Sequence, residues 1–128
     1  MSSSLERKFI LYWRGLNGPL LESEHRFDLV RKWRFDFAHV PTKVAIELEG
    51  GMWIGGSHGR GRRYQADCEK YNAAVFAGWS VIRIGTDQVT TPLLERIIGF
   101  VAEREKFIYD FAELRQLWSK AFPKGVQK

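Results

Sequence analysis

Cysteine and histidine are scarce in this chain, with one cysteine, Cys68, and three histidines among 128 residues. A single cysteine cannot form an internal disulfide, which favours a reducing compartment. No His or Cys pair has ligand spacing, so a structural zinc site is not expected. An apolar run of roughly 18–20 residues is missing, and M-S-S-S-L-E-R-K lacks the apolar core of a signal peptide. We therefore expect a cytoplasmic protein that does not enter a membrane.

What the chain does contain is typical of a folded domain. Hydrophobic residues make up 45% and aromatic residues 14%, which excludes a disordered chain. The length fits one domain, 1–128, with a core at about 20–90 and a helical extension at 91–122. Twenty Lys and Arg against 15 Asp and Glu give a net charge of +5. This basic excess suits a polyanionic partner, although it does not identify one.

The residues from 34 to 51 predict two strands joined by a short turn. Arg34–Ala38 and Lys43–Glu49 alternate between apolar and polar residues with period two. With a turn at His39–Thr42, Asp36 is expected opposite Ala45 and diagonal to Glu47, about 7–8 Å away. One side of this hairpin is then apolar and carries Phe35, Phe37, Val44, Ile46 and Leu48, and the other is polar and carries Arg34, Asp36, Glu47 and Glu49.

The polar side of this hairpin gathers three carboxylates, those of Asp36, Glu47 and Glu49. Carboxylates this close repel one another and raise each other's pKa. Mg²⁺ or Mn²⁺ would reverse that balance, because hard cations prefer oxygen ligands. The alternative is a solvated strand edge whose charges face water.

The segments before the hairpin are less distinctive. Glu6–Trp13 reads as either a helix or a strand, and Gly15 to Pro19 break it. Pro19–Val30 is predicted to be a helix with an apolar stripe of Leu20 or Leu21, Phe27 and Val30. Glu24 on this helix is a candidate functional carboxylate or, alternatively, an acidic residue favoured by the helix dipole.

A glycine-rich loop is predicted at residues 50 to 64, with six glycines, three arginines and His58. Glycine loses much backbone freedom on folding, so such a loop is poorly ordered by its own contacts. Its arginines and bare amides could hold phosphates and become ordered around a polyanion. The alternative is an ordinary mobile loop.

Three helices and one strand are predicted after this loop. Tyr64–Gly78 is predicted to be a helix ending at Gly78, and Asp67 and Lys70 share one of its faces as a functional group or a surface ion pair. Trp79–Ile84 is predicted to be a strand in the middle of a sheet. A helix capped by Thr90 or Thr91 with Pro92 in its first turn, and a second helix at Tyr109–Phe122, complete the chain.

Six motifs follow one another between Glu24 and Val89. They are E-x-R-F, W-R-F-D-F-A, K-V-A-I-E-L-E-G-G-x-W, S-H-x-R-G, D-x-E-K-Y-N-x-A and G-W-x-V-I-R-I. In this order and spacing they resemble the small phage-type endonucleases of the PD-(D/E)XK superfamily. That superfamily includes relatives of the very-short-patch repair endonuclease and of Holliday junction resolvases. The resemblance implies an α/β (α+β) restriction-endonuclease-like core, a mixed sheet flanked by helices, with extra C-terminal helices.

The resemblance also implies a set of site residues. The superfamily usually has a lysine two residues after its second acidic residue, but here Glu49 occupies that position. Lys70 is the expected replacement and Lys43 a weaker one. The implied metal ligands for Mg²⁺ or Mn²⁺ are Glu24, Asp36, Glu47 and Leu48. The implied catalytic residues are Asp36, Glu47, Glu49, Lys70 and His58, with His58 either an acid–base group or a phosphate contact. The implied DNA contacts are Arg34, His58, Arg60, Arg62, Arg63, Tyr64 and Asn72.

The chemistry expected from these residues is hydrolysis of a phosphodiester in DNA by a metal-dependent endonuclease, structure-specific or nicking. A carboxylate-held metal would activate water and neutralise phosphate oxygens, and a lysine would stabilise developing charge. Three alternatives remain: a Holliday junction resolvase, an inactive DNA-binding module and, on weaker grounds, a ribonuclease. Resolution of junctions would need a homodimer. Trp118 and Phe122 would anchor it or else cover the sheet of their own subunit.

Overall fold

The computed structural model describes residues 3–50 and 60–124. Within these ranges no helix combines the length and the apolar character needed to cross a bilayer. Three α-helices and four strands follow in the order α1 (Ser4–Gly15), β1 (Glu22–Arg26), β2 (Arg34–His39), β3 (Val44–Glu49), α2 (Arg60–Phe76), β4 (Ser80–Gly85) and α3 (Thr91–Ala121), with single 3₁₀ turns at Val40–Thr42 and Thr86–Gln88.

The four strands form one mixed sheet in the order β1-β2-β3-β4. The pairs β1/β2 and β2/β3 are antiparallel, whereas β3 and β4 are parallel, with α2 between them in the chain. The predicted α+β architecture with a mixed sheet and flanking helices is therefore confirmed. The strand predicted at 79–84 is confirmed as β4, but it lies at an edge of the sheet among the described residues and not in its middle.

Two hydrophobic clusters pack against the sheet. The first joins α1 and the first part of α3 to the sheet, through Phe9, Trp13, Phe37, Ile46, Ile84, Val89, Leu94 and Ile97. The second contains Phe35, Ala38, Ala45, Ala74 and Trp79, and Ala74 belongs to α2. Neighbouring strand residues such as Ala45 and Ile46 belong to different clusters, as expected for a sheet covered on both faces.

The predicted hairpin exists, but its register differs from the prediction. His39 pairs with Val44 and Ala38 with Ala45, so the connection is confined to Val40–Lys43. Lys43 adopts the left-handed conformation (φ 54°) that closes this tight turn. Continuing the register brings Asp36 alongside Glu47, instead of opposite Ala45.

Phe35 and Phe37 do not share a side of β2, contrary to prediction. The Phe37 ring lies 4.9 Å from that of Phe9, whereas the Phe35 ring lies 4.2 Å from that of Phe27 and packs near Trp79. Alternation is therefore broken at Asp36. The β1/β2 ladder is interrupted at the same point, between the pairs Ser23–Phe37 and His25–Phe35.

The helix predicted at Pro19–Val30 is wrong, because Glu22–Arg26 form the edge strand β1. Val30, assigned to the apolar stripe of that helix, is 84% exposed. The segment is polar and mostly exposed, and backbone pairing with β2 determines its conformation. The prediction relied on the helical spacing of apolar residues within the segment itself. The pairing with β2 depends on residues outside the segment, which such a local pattern does not include.

Two further boundaries differ from the predictions. Helix α2 begins at Arg60, so the predicted loop at 50 to 64 includes the first turn of a helix, while residues 51–59 lie outside the described residues. Gly78 has φ 88° just beyond α2, as predicted for a helix terminus. The two predicted C-terminal helices are one continuous helix of 31 residues, capped by the Thr90 side chain.

Candidate functional site

Three carboxylates from three different elements converge beside the paired strands β1 and β2. Glu6 comes from α1, Glu24 from β1 and Asp36 from β2, and one carboxylate oxygen of each lies within 4.8 Å of the others. We call these residues the acidic cluster. A cleft of about 360 Å³ adjoins it, lined by Ser3, Ser4, Leu5, Glu6, Asp36, Leu48, Gly50 and Thr86.

Local structure explains how each carboxylate reaches this point. The Ser3 hydroxyl caps α1 by accepting a hydrogen bond from the Glu6 amide at 3.1 Å, which puts Glu6 in the first turn. Glu24 has φ 52°, a left-handed conformation that costs a non-glycine residue about 1–2 kcal/mol. The Asp36 carboxylate accepts a hydrogen bond of 2.7 Å from the Leu48 amide of β3. These local features bring together three carboxylates that the regular alternation of side chains along the strands would not.

The acidic cluster suits a hard divalent cation. Oxygens lie about 2.1 Å from Mg²⁺, so neighbouring ones are about 3 Å apart and opposite ones about 4.2 Å apart. Side-chain movements of about an ångström would therefore bring the cluster to ligating distance. The Arg34 guanidinium lies 4.0 Å from Glu24 and is half-exposed. Carboxylates this close repel one another, and a divalent cation between them would offset that repulsion.

Glu47 lies beside the cluster but has a different partner. Its side chain is buried and forms a salt bridge with the Lys70 ammonium of α2, which is largely buried as well. Burial, with a smaller contribution from the charge of Asp36, raises the pKa of Glu47 from an ordinary 4.5 to about 7, against the lowering effect of Lys70. Glu47 therefore exchanges a proton near neutral pH.

Glu49 belongs to a second ion pair on the α2 side of the sheet. Its carboxylate pairs with the Arg83 guanidinium of β4, which raises the pKa of Arg83. The Tyr71 hydroxyl lies 3.5 Å from the same carboxylate, and Arg83 stacks 4.5 Å from the Tyr71 ring. Burial, followed by the charge of Glu47, raises the pKa of Tyr71. Glu49 is thus neutralised by Arg83 where the superfamily pattern would have a lysine.

The two lysines considered as replacements occupy different environments. Lys70 contacts Glu47, and its ammonium lies 5.9 Å from the centre of the Phe35 ring and 5.4 Å from that of Tyr71. Lys43 donates a 2.7 Å hydrogen bond to the Ala77 carbonyl beyond the C-terminal end of α2. Lys70 is therefore the lysine next to the carboxylates, and Lys43 supports the connection between α2 and β4.

The residues expected to contact DNA are only partly described. Arg62, Arg63 and Tyr64 are exposed on the first turns of α2, and Asn72 is exposed further along it. Arg34 is exposed beside Glu24. Arg60 begins α2, but its side chain is outside the described part, and His58 lies entirely outside the described residues.

Glu6 is the acidic residue that the sequence analysis missed. The pattern Ser3-x-x-Glu6 is a helix-capping signature and could have located the start of α1. Nothing in the sequence relates Glu6 to Asp36, thirty residues further along the chain. The packing of Phe9 and Trp13 against the sheet brings the start of α1 to the cluster.

Comparison with known proteins gives one informative similarity. No protein-family model matches the chain, and no curated protein matches it significantly. The fold is similar to that of the homing endonuclease I-Bth0305I catalytic domain, with a TM-score of 0.51 and 18% sequence identity. The match covers 80% of this chain and 94% of that domain. The chain therefore has a fold found in a nuclease.

Proposed function

We propose that this protein is a phage-type, divalent-metal-dependent DNA endonuclease that nicks duplex DNA or cuts branched DNA. The convergence of Glu6, Glu24 and Asp36 within 4.8 Å carries this proposal. Support comes from the similarity of the fold to that of a homing endonuclease catalytic domain. The resemblance of the sequence motifs to those of the PD-(D/E)XK superfamily adds to it.

Glu6, Glu24 and Asp36 would hold the cation, and Glu47 and the backbone of Leu48 lie next to them. A divalent cation there would supply Lewis-acid activation of water and neutralise charge on the phosphate oxygens. The acidic donors match Mg²⁺ or Mn²⁺, which prefer oxygen ligands.

The residues on the α2 side would do the remaining work. Glu47, with a pKa of about 7, is suited to accept the proton of an attacking water at neutral pH. Lys70, paired with Glu47, would stabilise the negative charge that develops on the phosphate. The Arg83 partner of Glu49 supplies a second positive group on the same side.

DNA would be held by exposed basic side chains around these carboxylates. Arg34 lies beside the acidic cluster, and Arg62 and Arg63 project from the first turns of α2. The N-terminal end of a helix favours an anion, so the phosphate backbone suits the start of α2. Such contacts carry affinity without reading sequence.

The test is cleavage of a supercoiled plasmid and of a labelled four-way junction, each with Mg²⁺, Mn²⁺ or EDTA. Wild type would be compared with Asp36→Asn and Glu6→Gln, which remove a charge and keep the shape. Glu95→Gln, an exposed position on α3, is the matched control. A single-stranded RNA of the same length as one strand of the junction tests the ribonuclease alternative.

We expect metal-dependent cutting by wild type and the control, and a loss of at least 100-fold in both cluster variants. Preference for the plasmid or the junction would distinguish a nickase from a resolvase. Cutting that persists in EDTA, or in Asp36→Asn, would contradict the proposal. DNA binding without cutting in either metal would favour an inactive binding module.

A further inference from the structure

Helix α3 carries two apolar stripes that point in different directions. Leu94, Ile97 and Val101 are buried against the body of the protein. Beyond Arg104 every residue to Lys124 is exposed, including a second stripe that starts at Phe107. At 100° per residue this second stripe is centred roughly a quarter turn from the first. It is therefore not a continuation of the surface that α3 presents to its own sheet.

The second stripe has the spacing of a helix–helix contact. Phe107, Phe111, Leu114 and Trp118 follow one another at intervals of four, three and four residues, as the core positions of a coiled coil do. Ile108, Leu117 and Phe122 flank this seam. We call these seven residues the distal α3 face. Their side chains are between 44% and 69% exposed.

The area of the distal α3 face matches one side of a stable interface. Seven side chains of this size, about half exposed, present roughly 700 Å² of apolar surface. A standard protein interface buries about 800 Å² on each partner. Monomeric proteins rarely expose continuous apolar patches beyond a few hundred Å².

Charge along the helix favours a second copy in antiparallel orientation. Residues 103–113 contain four acidic and two basic side chains, a net charge of −2, whereas residues 114–121 contain two basic and no acidic side chains, +2. Antiparallel pairing sets each half against the oppositely charged half of the other copy. Parallel pairing would set like charges together.

We propose that the chain forms a homodimer through the distal α3 faces of two antiparallel α3 helices. A two-fold axis between residues 112 and 113 would set Phe111 against Leu114 of the second copy, and Phe107 against its Trp118. The acidic cluster is formed by residues of α1, β1 and β2, whereas this contact is formed by α3 alone. If the proposed endonuclease activity holds, the dimer would bring two sites to one DNA.

Sedimentation equilibrium of the full chain, without DNA or metal, tests this proposal. The wild-type mass should rise from 14.9 kDa towards twice that value as the protein concentration increases from about 1 to about 300 µM. This range brackets the dissociation constant expected of a homodimer of modest affinity. Phe111→Glu should weaken association at least 100-fold. Gln116→Glu adds the same charge on the opposite side of the same helix and should leave association unchanged.

Orientation is tested by Arg115→Glu, at a position that follows Leu114 and flanks the seam. This variant sets an acidic residue against the acidic half of an antiparallel partner and should weaken the dimer at least tenfold, with the defect reduced in high salt. Equal association of this variant and wild type would overturn the antiparallel arrangement. Circular dichroism at one concentration checks that each variant remains helical.

A wild-type chain that stays at 14.9 kDa throughout would overturn the dimer and leave the face to another kind of partner. Association that is equally strong in Phe111→Glu would overturn the role of the distal α3 face. Because the measurement needs neither substrate nor cation, its outcome is separate from that of the cleavage assays.

Discussion

Raising the pH should destabilise the metal-free protein through Glu47. Burial raises the pKa of this carboxyl group from 4.5 to about 7. Between those two pH values the folded protein holds a proton that the unfolded chain has released. Stability is therefore lost as the pH rises from about 4.5 to 7, and above pH 7 the loss is complete.

The magnitude follows from the shift itself. One pKa unit corresponds to 1.36 kcal/mol, so a shift from 4.5 to about 7 costs about 3 kcal/mol of unfolding free energy. That is a large share of the 5–15 kcal/mol typical of small domains. The group is only 7% exposed, so solvent screening does not reduce this figure much.

Urea unfolding in EDTA at intervals from pH 4.5 to pH 8 measures this effect, with Glu47→Gln as the comparison. Glutamine keeps an acceptor for Lys70 but cannot ionise. We expect the unfolding free energy of wild type to fall by about 3 kcal/mol relative to the variant over this range. Parallel curves for the two proteins would refute the reasoning.

A pH titration of the Glu47 carboxyl group with and without Mg²⁺ tests whether Glu47 is a metal ligand. A cation favours ionised carboxylates, so Mg²⁺ should lower the midpoint of the Glu47 carboxyl signal in a carbon-13 NMR titration. At 100 times its dissociation constant Mg²⁺ should also stabilise the protein by about 2.7 kcal/mol. An unmoved midpoint together with this stabilisation would assign the ion to the acidic cluster without Glu47.

Three further predictions concern single residues. Lys70→Met should leave Glu47 buried without its cation and cost about 3–5 kcal/mol at pH 8, measured by urea unfolding, while Lys70→Met combined with Glu47→Gln should recover most of that loss. Glu24→Gly should relieve the strain of the left-handed backbone at φ 52° and raise the unfolding free energy by about 0.5–1 kcal/mol. The same change should abolish Mg²⁺-dependent cleavage. A destabilised variant would argue against strain at this position. Ile97→Ala, in the core between α3 and the sheet, should cost about 2–5 kcal/mol in thermal or urea unfolding without changing the metal dependence of cleavage, and a cost below 1 kcal/mol would contradict the packing of α3.

Local patterns in the sequence were sufficient for the elements that have a strong period or a clear cap. Strands β2, β3 and β4 follow from alternating or β-branched residues, and the start of α3 from Thr90 followed by Pro92. Gly78 marks the end of α2 because a left-handed residue is needed there. These signals lie within a few residues of one another, so backbone and side-chain preferences alone can specify them.

Only the tertiary structure decided how the acidic residues meet. Glu24 lies on a strand because the polar segment Glu22–Arg26 pairs with β2, a contact that local preference does not encode. The tight turn at Val40–Lys43 sets the register that brings Asp36 alongside Glu47, and packing of α1 on the sheet delivers Glu6. Such placement depends on contacts between distant parts of the chain. These contacts are stabilised by the burial of apolar surfaces, and the sequence pattern does not show which surfaces meet. The residue types in this sequence indicate metal and phosphate chemistry, whereas the fold determines which carboxylates lie close enough to share an ion.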